Sequence, residues 1–133
     1  MKKIILFLSI VLASGLLLTN IYNSLIDAKS WGADIPASLA TARLYYKSVN
    51  PGNFFRIFSP ANQVLGLLAL IAFWKSSPRT RLYLGIAFFL YVLGDLFTFA
   101  YFYPRNEIMF KTAQLTDIDL LKKLLSDSGI AVS

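Results

Sequence analysis

Asp95 is the residue of this sequence best placed to do chemistry. It lies inside the apolar run Leu82–Tyr103, which holds no other charge. A bare carboxylate near a bilayer centre costs roughly 2.5–3.5 kcal/mol on insertion scales, so it must be paired, held neutral or turned to a ligand. Such a group is a candidate catalytic base or proton relay. It is equally a candidate acceptor that locks helices together by hydrogen bonds. Other polar residues recur at matching depth. Asn20, Asn23 and Asp27 are three and then four residues apart, on one face of a helix. Asn62 and Gln63 open a second apolar run, and Arg105 and Asn106 follow the third. Arg43, Arg56 and Arg105 are the cations expected within reach of Asp95. Arg105 and Asn106 would suit an anion or lipid head group, with snorkelling of Arg105 as the plainer alternative.

The chain has neither cysteine nor histidine. Disulfides, thiolate metal sites, cysteine nucleophiles and every Ser-His-Asp triad are thereby excluded. No phosphate-binding glycine loop and no carboxylate pair at metal-ligand spacing is present. Neither a metal nor a cofactor is expected.

The elements that must carry these residues are membrane helices. Of the 133 residues, 56% are apolar and only 15% charged, against about 25% charged in soluble domains. The fold class expected is an all-α transmembrane helix bundle, a single membrane domain over 1–133 with short outer interfacial helices. A first span covers about 4–26, directly after Lys2 and Lys3. Residues 4 to 24 alone reach about 30 Å, the thickness of a bilayer core. A cleaved signal peptide with its small-residue site at Val11-Leu12-Ala13 is the rival reading of that segment. A second, short span covers about 60–75, with Ser59 as cap and Pro60 at the first helical position. A third covers about 81–103, closed by the Tyr101-Phe102-Tyr103 belt and Pro104.

Outside the spans, Asp34 is the expected cap of a helix running to Ser48, and Asn50-Pro51-Gly52 reads as a turn. An amphipathic helix is expected over about 116–127, with Ile118, Leu121, Leu124 and Leu125 on one face and Gly129 as its stop. It would lie on the membrane or pack on the bundle.

The net charge of +6 comes from 13 Lys/Arg and 7 Asp/Glu. The basic residues flank apolar runs rather than forming a soluble patch, so nucleic acid is not an expected partner. Lys2 and Lys3 must share a side with Lys75, Arg79 and Arg81. The positive-inside rule makes that side cytoplasmic. The expected location is the inner (plasma) membrane, multi-pass, with a cytoplasmic N-terminus. Asp95, Asn20, Asn62 and Gln63 then fall in the outer half of the bundle.

The run Asn50-Pro51-Gly52-Asn53-Phe54-Phe55-Arg56, the start Ser59-Pro60-Ala61-Asn62-Gln63, and Pro104-Arg105-Asn106 after an aspartate-bearing helix form a set. It resembles the anthrone-oxygenase-like family of small integral membrane proteins, a domain of unknown function, and within it bacterial members without assigned activity. The resemblance implies a four-helix membrane bundle. Some fungal and actinobacterial members are linked to oxidation of anthrones to anthraquinones without metal or flavin. Carried onto this chain, that chemistry would use Asp95 as base, with Asn20, Asn62 and Gln63 stabilising an enolate. The family's fourth span would begin near Gly129-Ile130-Ala131-Val132. Either the sequence is truncated there, or the chain is a three-helix variant that completes its bundle by association.

Two readings follow. One is a structural or ligand-binding membrane protein whose polar cluster holds the bundle or a lipid-like ligand. The alternative is a cofactor-independent oxygenase-like enzyme acting on an anthrone- or quinone-like aromatic substrate. A transport subunit ranks below both, since inverted repeats and broken helices are missing. The expected partners are the lipid bilayer, a small apolar aromatic or lipid-like ligand and, if the chain ends at Ser133, further copies of itself.

Overall fold

The computed structural model describes residues 1–130. Among them all regular structure is helical. We number the helices α1 (Lys2–Gly32), α2 (Ala37–Tyr45), α3 (Pro51–Ala72), α4 (Pro78–Thr112) and α5 (Ile118–Asp127). Three of these, α1, α3 and α4, are long and apolar enough to cross a membrane. Only 6%, 17% and 0% of their most apolar stretches is buried within the chain, so most of their apolar side chains lie on its surface, as lipid-facing residues do.

The spans are longer than their apolar cores. Helix α1 continues past residue 26 to Gly32, through one widened turn at Asn23–Asp27. The second span begins at Pro51, nine residues before Pro60. Asn50-Pro51-Gly52 is therefore a helix start, not a turn. Proline suits the first helical position because its φ is preset and its missing N–H would have no partner there. Pro60 consequently sits inside α3. Nor does Pro104 end the third span: α4 runs on to Thr112. A widened turn over Thr98–Phe102 directly precedes Pro104, and such turns absorb the bond that a proline cannot make.

The described chain forms two compact units. The first comprises Met1–Leu18 and Pro51–Phe97. Here α3 and α4 make a hairpin across a five-residue connection, Phe73 to Ser77. The Ser77 Oγ accepts the Thr80 N–H at 3.3 Å and caps α4, with Pro78 in first place. Asn62, Gly66 and Ala69 are buried along α3. A Cβ at Gly66 would stand 3.2 Å from the Tyr91 ring and 3.5 Å from that of Phe88. The hairpin is thus closed to hydrogen-sized tolerance at that point. The start of α1 adjoins its connection, because Lys2 Nζ lies 5.4 Å from the centre of the Phe73 ring.

The second unit comprises Thr19–Asn50 and the chain from Thr98 onward. Its core is Ile35, Leu39, Met109, Ala113, Leu121, Leu124 and Leu125, with Trp31 and Phe110 packed against it. Asp34 does not cap α2. Its backbone N–H bonds instead to the Ser38 Oγ at 3.3 Å, while Ser38 donates to the Trp31 carbonyl at 2.6 Å. Helix α2 starts at Ala37, with Pro36 at its N-cap, and ends at Tyr45, short of Ser48. Helix α5 packs its leucine face into this core. Asp117 caps it, accepting the Leu120 N–H at 3.3 Å. At its far end Gly129 has φ +75°, and the N–H groups of Ile130 and Gly129 bond to the Leu125 and Ser126 carbonyls. That is the left-handed stop expected of glycine there. The fourth span expected to begin near Gly129 would fall on residues 131–133, which lie outside the described residues.

Gly66→Leu must push Tyr91 and Phe88 aside, and overpacking of that kind costs about 1–3 kcal/mol. Thermal unfolding in mild detergent should show a lowered midpoint for this variant. Gly85→Leu should leave it nearly unchanged, since a Cβ at Gly85 meets nothing within 4 Å.

Candidate functional site

Asp95 meets Gln63. The Gln63 Nε2 donates to the Asp95 Oδ2 at 2.5 Å, and both side chains are half-buried. Gln63 lies three residues before Gly66, and Asp95 four residues after Tyr91. The polar pair is therefore one turn along the same seam that Gly66 closes. Beside it, Asn62 is 6% exposed, and its Oδ1 is buried without a hydrogen bond. An amide, not a guanidinium, is thus the partner of the Asp95 carboxylate. Arg56 is exposed, seven residues before Gln63 on α3.

The other expected cations serve the second unit. Arg43 grips the end of α4. Its Nε donates to the Met109 carbonyl at 3.0 Å, and its Nη2 donates to both the Met109 carbonyl and, at 2.7 Å, that of Ala113. Carbonyls at a helix end have no partner within the helix, and a forked, permanently charged group satisfies two at once. Arg105 turns back along α4, donating from Nη1 to the Tyr101 carbonyl at 2.9 Å, with its guanidinium 3.5 Å from the Tyr101 ring centre. Its Nε is buried and unbonded, as is the Oδ1 of Asn23. Tyr101 in turn donates its hydroxyl to the Asp127 carbonyl at 2.7 Å, tying α4 to the end of α5.

Asn20 is exposed, while Asn23 and Asp27 occupy the widened turn of α1 and are half-buried. Asn106 is half-buried next to Arg105. Within the first unit the expected cluster thus contributes Asn62, Gln63 and Asp95. Within the second it contributes Asn20, Asn23, Asp27, Arg105 and Asn106.

Two features had no signal strong enough to single out in the sequence. The first is an aromatic cluster: Trp31 stands edge-on to Phe110 at 4.9 Å and to Tyr46 at 6.2 Å. Burial, and then the charge of Asp27, push the Tyr46 hydroxyl above its ordinary pKa of 10. The second is an apolar groove of about 160 Å³ in the first unit. Its walls include Ser9 and Ile10 of α1, Gly66 and Ala69 of α3, and Ala87 and Tyr91 of α4. Neither Asp95 nor Gln63 lines it. Among the described residues no cluster of three acidic ligands converges for a metal. No family model, characterised protein or solved structure matches the chain.

Arg43→Met should strand the Met109 and Ala113 carbonyls and cost about 2–4 kcal/mol. Hydrogen exchange across residues 105–127 should rise sharply, and Arg43→Lys should recover little because an ammonium lacks the fork. Tyr46 supplies a pH test. Because its hydroxyl stays protonated in the folded state above the unfolded value, it stabilises nothing extra below about pH 10. Stability should fall as pH rises through that value, where the unfolded chain ionises first. In absorbance titrations the Tyr46→Phe difference should report ionisation above pH 10. Asp27→Asn should move it back part of the way, since burial remains.

Proposed function

We propose that this chain is a multi-pass protein of the cell's inner (plasma) membrane, with its N-terminus in the cytoplasm, serving a structural or ligand-binding role rather than a catalytic one. The observation that carries this reading is the Gln63–Asp95 hydrogen bond. It joins two spans by polar side chains set within their apolar stretches, and it engages the carboxylate that would otherwise be the base. Hydrogen bonds between membrane helices hold pairs in register and are worth about 0.6–2 kcal/mol. The uncovered apolar surface of α1, α3 and α4 supports lipid and partner-helix contacts as the wider role. The orientation rests on Lys2, Lys3, Lys75, Arg79 and Arg81 gathering at one end of the first unit, as the positive-inside rule requires of a cytoplasmic end.

The test is a double-mutant cycle in detergent-solubilised full-length protein. Gln63→Leu alone should lower the unfolding midpoint, because it leaves Asp95 without its donor. Adding Asp95→Leu should restore most of the loss, giving a coupling of about 1–2 kcal/mol. Asp95→Asn should keep the fold. The resemblance to anthrone oxygenases makes the opposing outcome concrete. If the wild-type protein consumed oxygen with an anthrone, and folded Asp95→Asn did not, Asp95 would be a catalytic base and the structural reading would fall.

A further inference from the structure

The groove of the first unit lies beneath a collar of cations. Lys2, Lys3, Lys75, Arg79 and Arg81 all stand where α1 starts and where α3 passes into α4. The contact of Lys2 with the Phe73 ring joins these two stretches, and Arg81 lies 5.7 Å from the centre of the Trp74 ring. The sequence holds no acidic residue from Met1 to Ile26 or from Pro51 to Gly94. The charge is therefore uncompensated locally. Ser9, Ala69, Ala87 and Tyr91 lie roughly 9–15 Å along their helices from these cations, at ~1.5 Å per residue. That depth is within the ~15 Å half-thickness of a bilayer's hydrocarbon core.

We infer that the first unit is a binding site for an anionic phospholipid. The phosphate sits among Lys75, Arg79, Arg81 and the lysines of α1, and one acyl chain lies in the groove. The groove's volume of about 160 Å³ matches cavities that hold a benzene-sized apolar group, enough for a length of acyl chain. Small residues make the room, Ala69 and Ala87, while Gly66 seats the Tyr91 ring that forms part of the wall. Basic pockets between membrane helices select anionic head groups by the same charge complementarity. A free phosphate ion would use the collar alone and leave the groove without a role. The inference rests on residence in a bilayer, but not on the role of Gln63 and Asp95.

The test uses the full chain in mild detergent, offered equal amounts of phosphatidylglycerol and phosphatidylcholine with identical acyl chains. Native mass spectrometry reads the retained lipid. Retention of phosphatidylglycerol should exceed that of phosphatidylcholine by about five-fold or more. The combined variant Lys75→Gln, Arg79→Gln, Arg81→Gln should bring the ratio close to one. Ala87→Leu, which fills the groove and leaves every cation in place, should lower phosphatidylglycerol retention several-fold. Circular dichroism checks that the variants fold. Should one fail, the wild-type protein still decides. In vesicles, phosphatidylglycerol brominated on its acyl chains should quench Trp74 fluorescence more than brominated phosphatidylcholine does, against a Trp74→Phe blank. Equal retention of the two lipids, equal quenching, or undiminished retention by a folded Ala87→Leu protein would overturn the site. The coupling between Gln63 and Asp95 would be unaffected by any of these results, so the two readings fail separately.

Discussion

In a medium without water, a backbone N–H or C=O has only the protein to bond to. That constraint accounts for most of this architecture. It keeps α3 helical through Pro60 and α4 helical through Pro104, where the same residues in a soluble chain would more often mark an end. It favours widening a turn, as at Asn23–Asp27 and Thr98–Phe102, over breaking one. At the far end of α4 the same need is met by a side chain: the last carbonyls lack helical partners, and Arg43 bonds Met109 and Ala113 rather than a carboxylate.

The two units solve the packing problem differently. The first has few buried residues, and lipid-like surroundings remove any hydrophobic gain from bringing helices together. Close contact at Gly66 and the hydrogen bond from Gln63 to Asp95 therefore do the joining. The second buries leucines, a methionine and aromatic edges around Leu39, as a small water-soluble domain does. Its helix α5 is amphipathic for that reason, and its cap, leucine face and glycine stop agree with one another.

The spans, the helical class and the amphipathic α5 were legible in the sequence because each rests on long apolar runs or a repeated period. Asp95 stood out because a lone charge in such a run demands an explanation. Its partner was one of several polar residues at suitable depth, and depth alone does not choose between Gln63 and a guanidinium. Local signals misled where they were short. Asn50-Pro51-Gly52 has the composition of a turn and the position of a helix start, and Asp34 has the right type for a cap although no side chain caps α2. Arg43 was invisible as a clamp, because its carbonyl partners lie 66 and 70 residues away and carry no side-chain signature.

The brevity of the connection between α3 and α4 has a consequence for how independently the two helices can move. Five residues, Phe73 to Ser77, are too few to let the two helices part. Gln63 and Asp95 therefore stay within reach of each other whenever both helices are formed, and the carboxylate meets its donor at high effective concentration rather than by chance encounter.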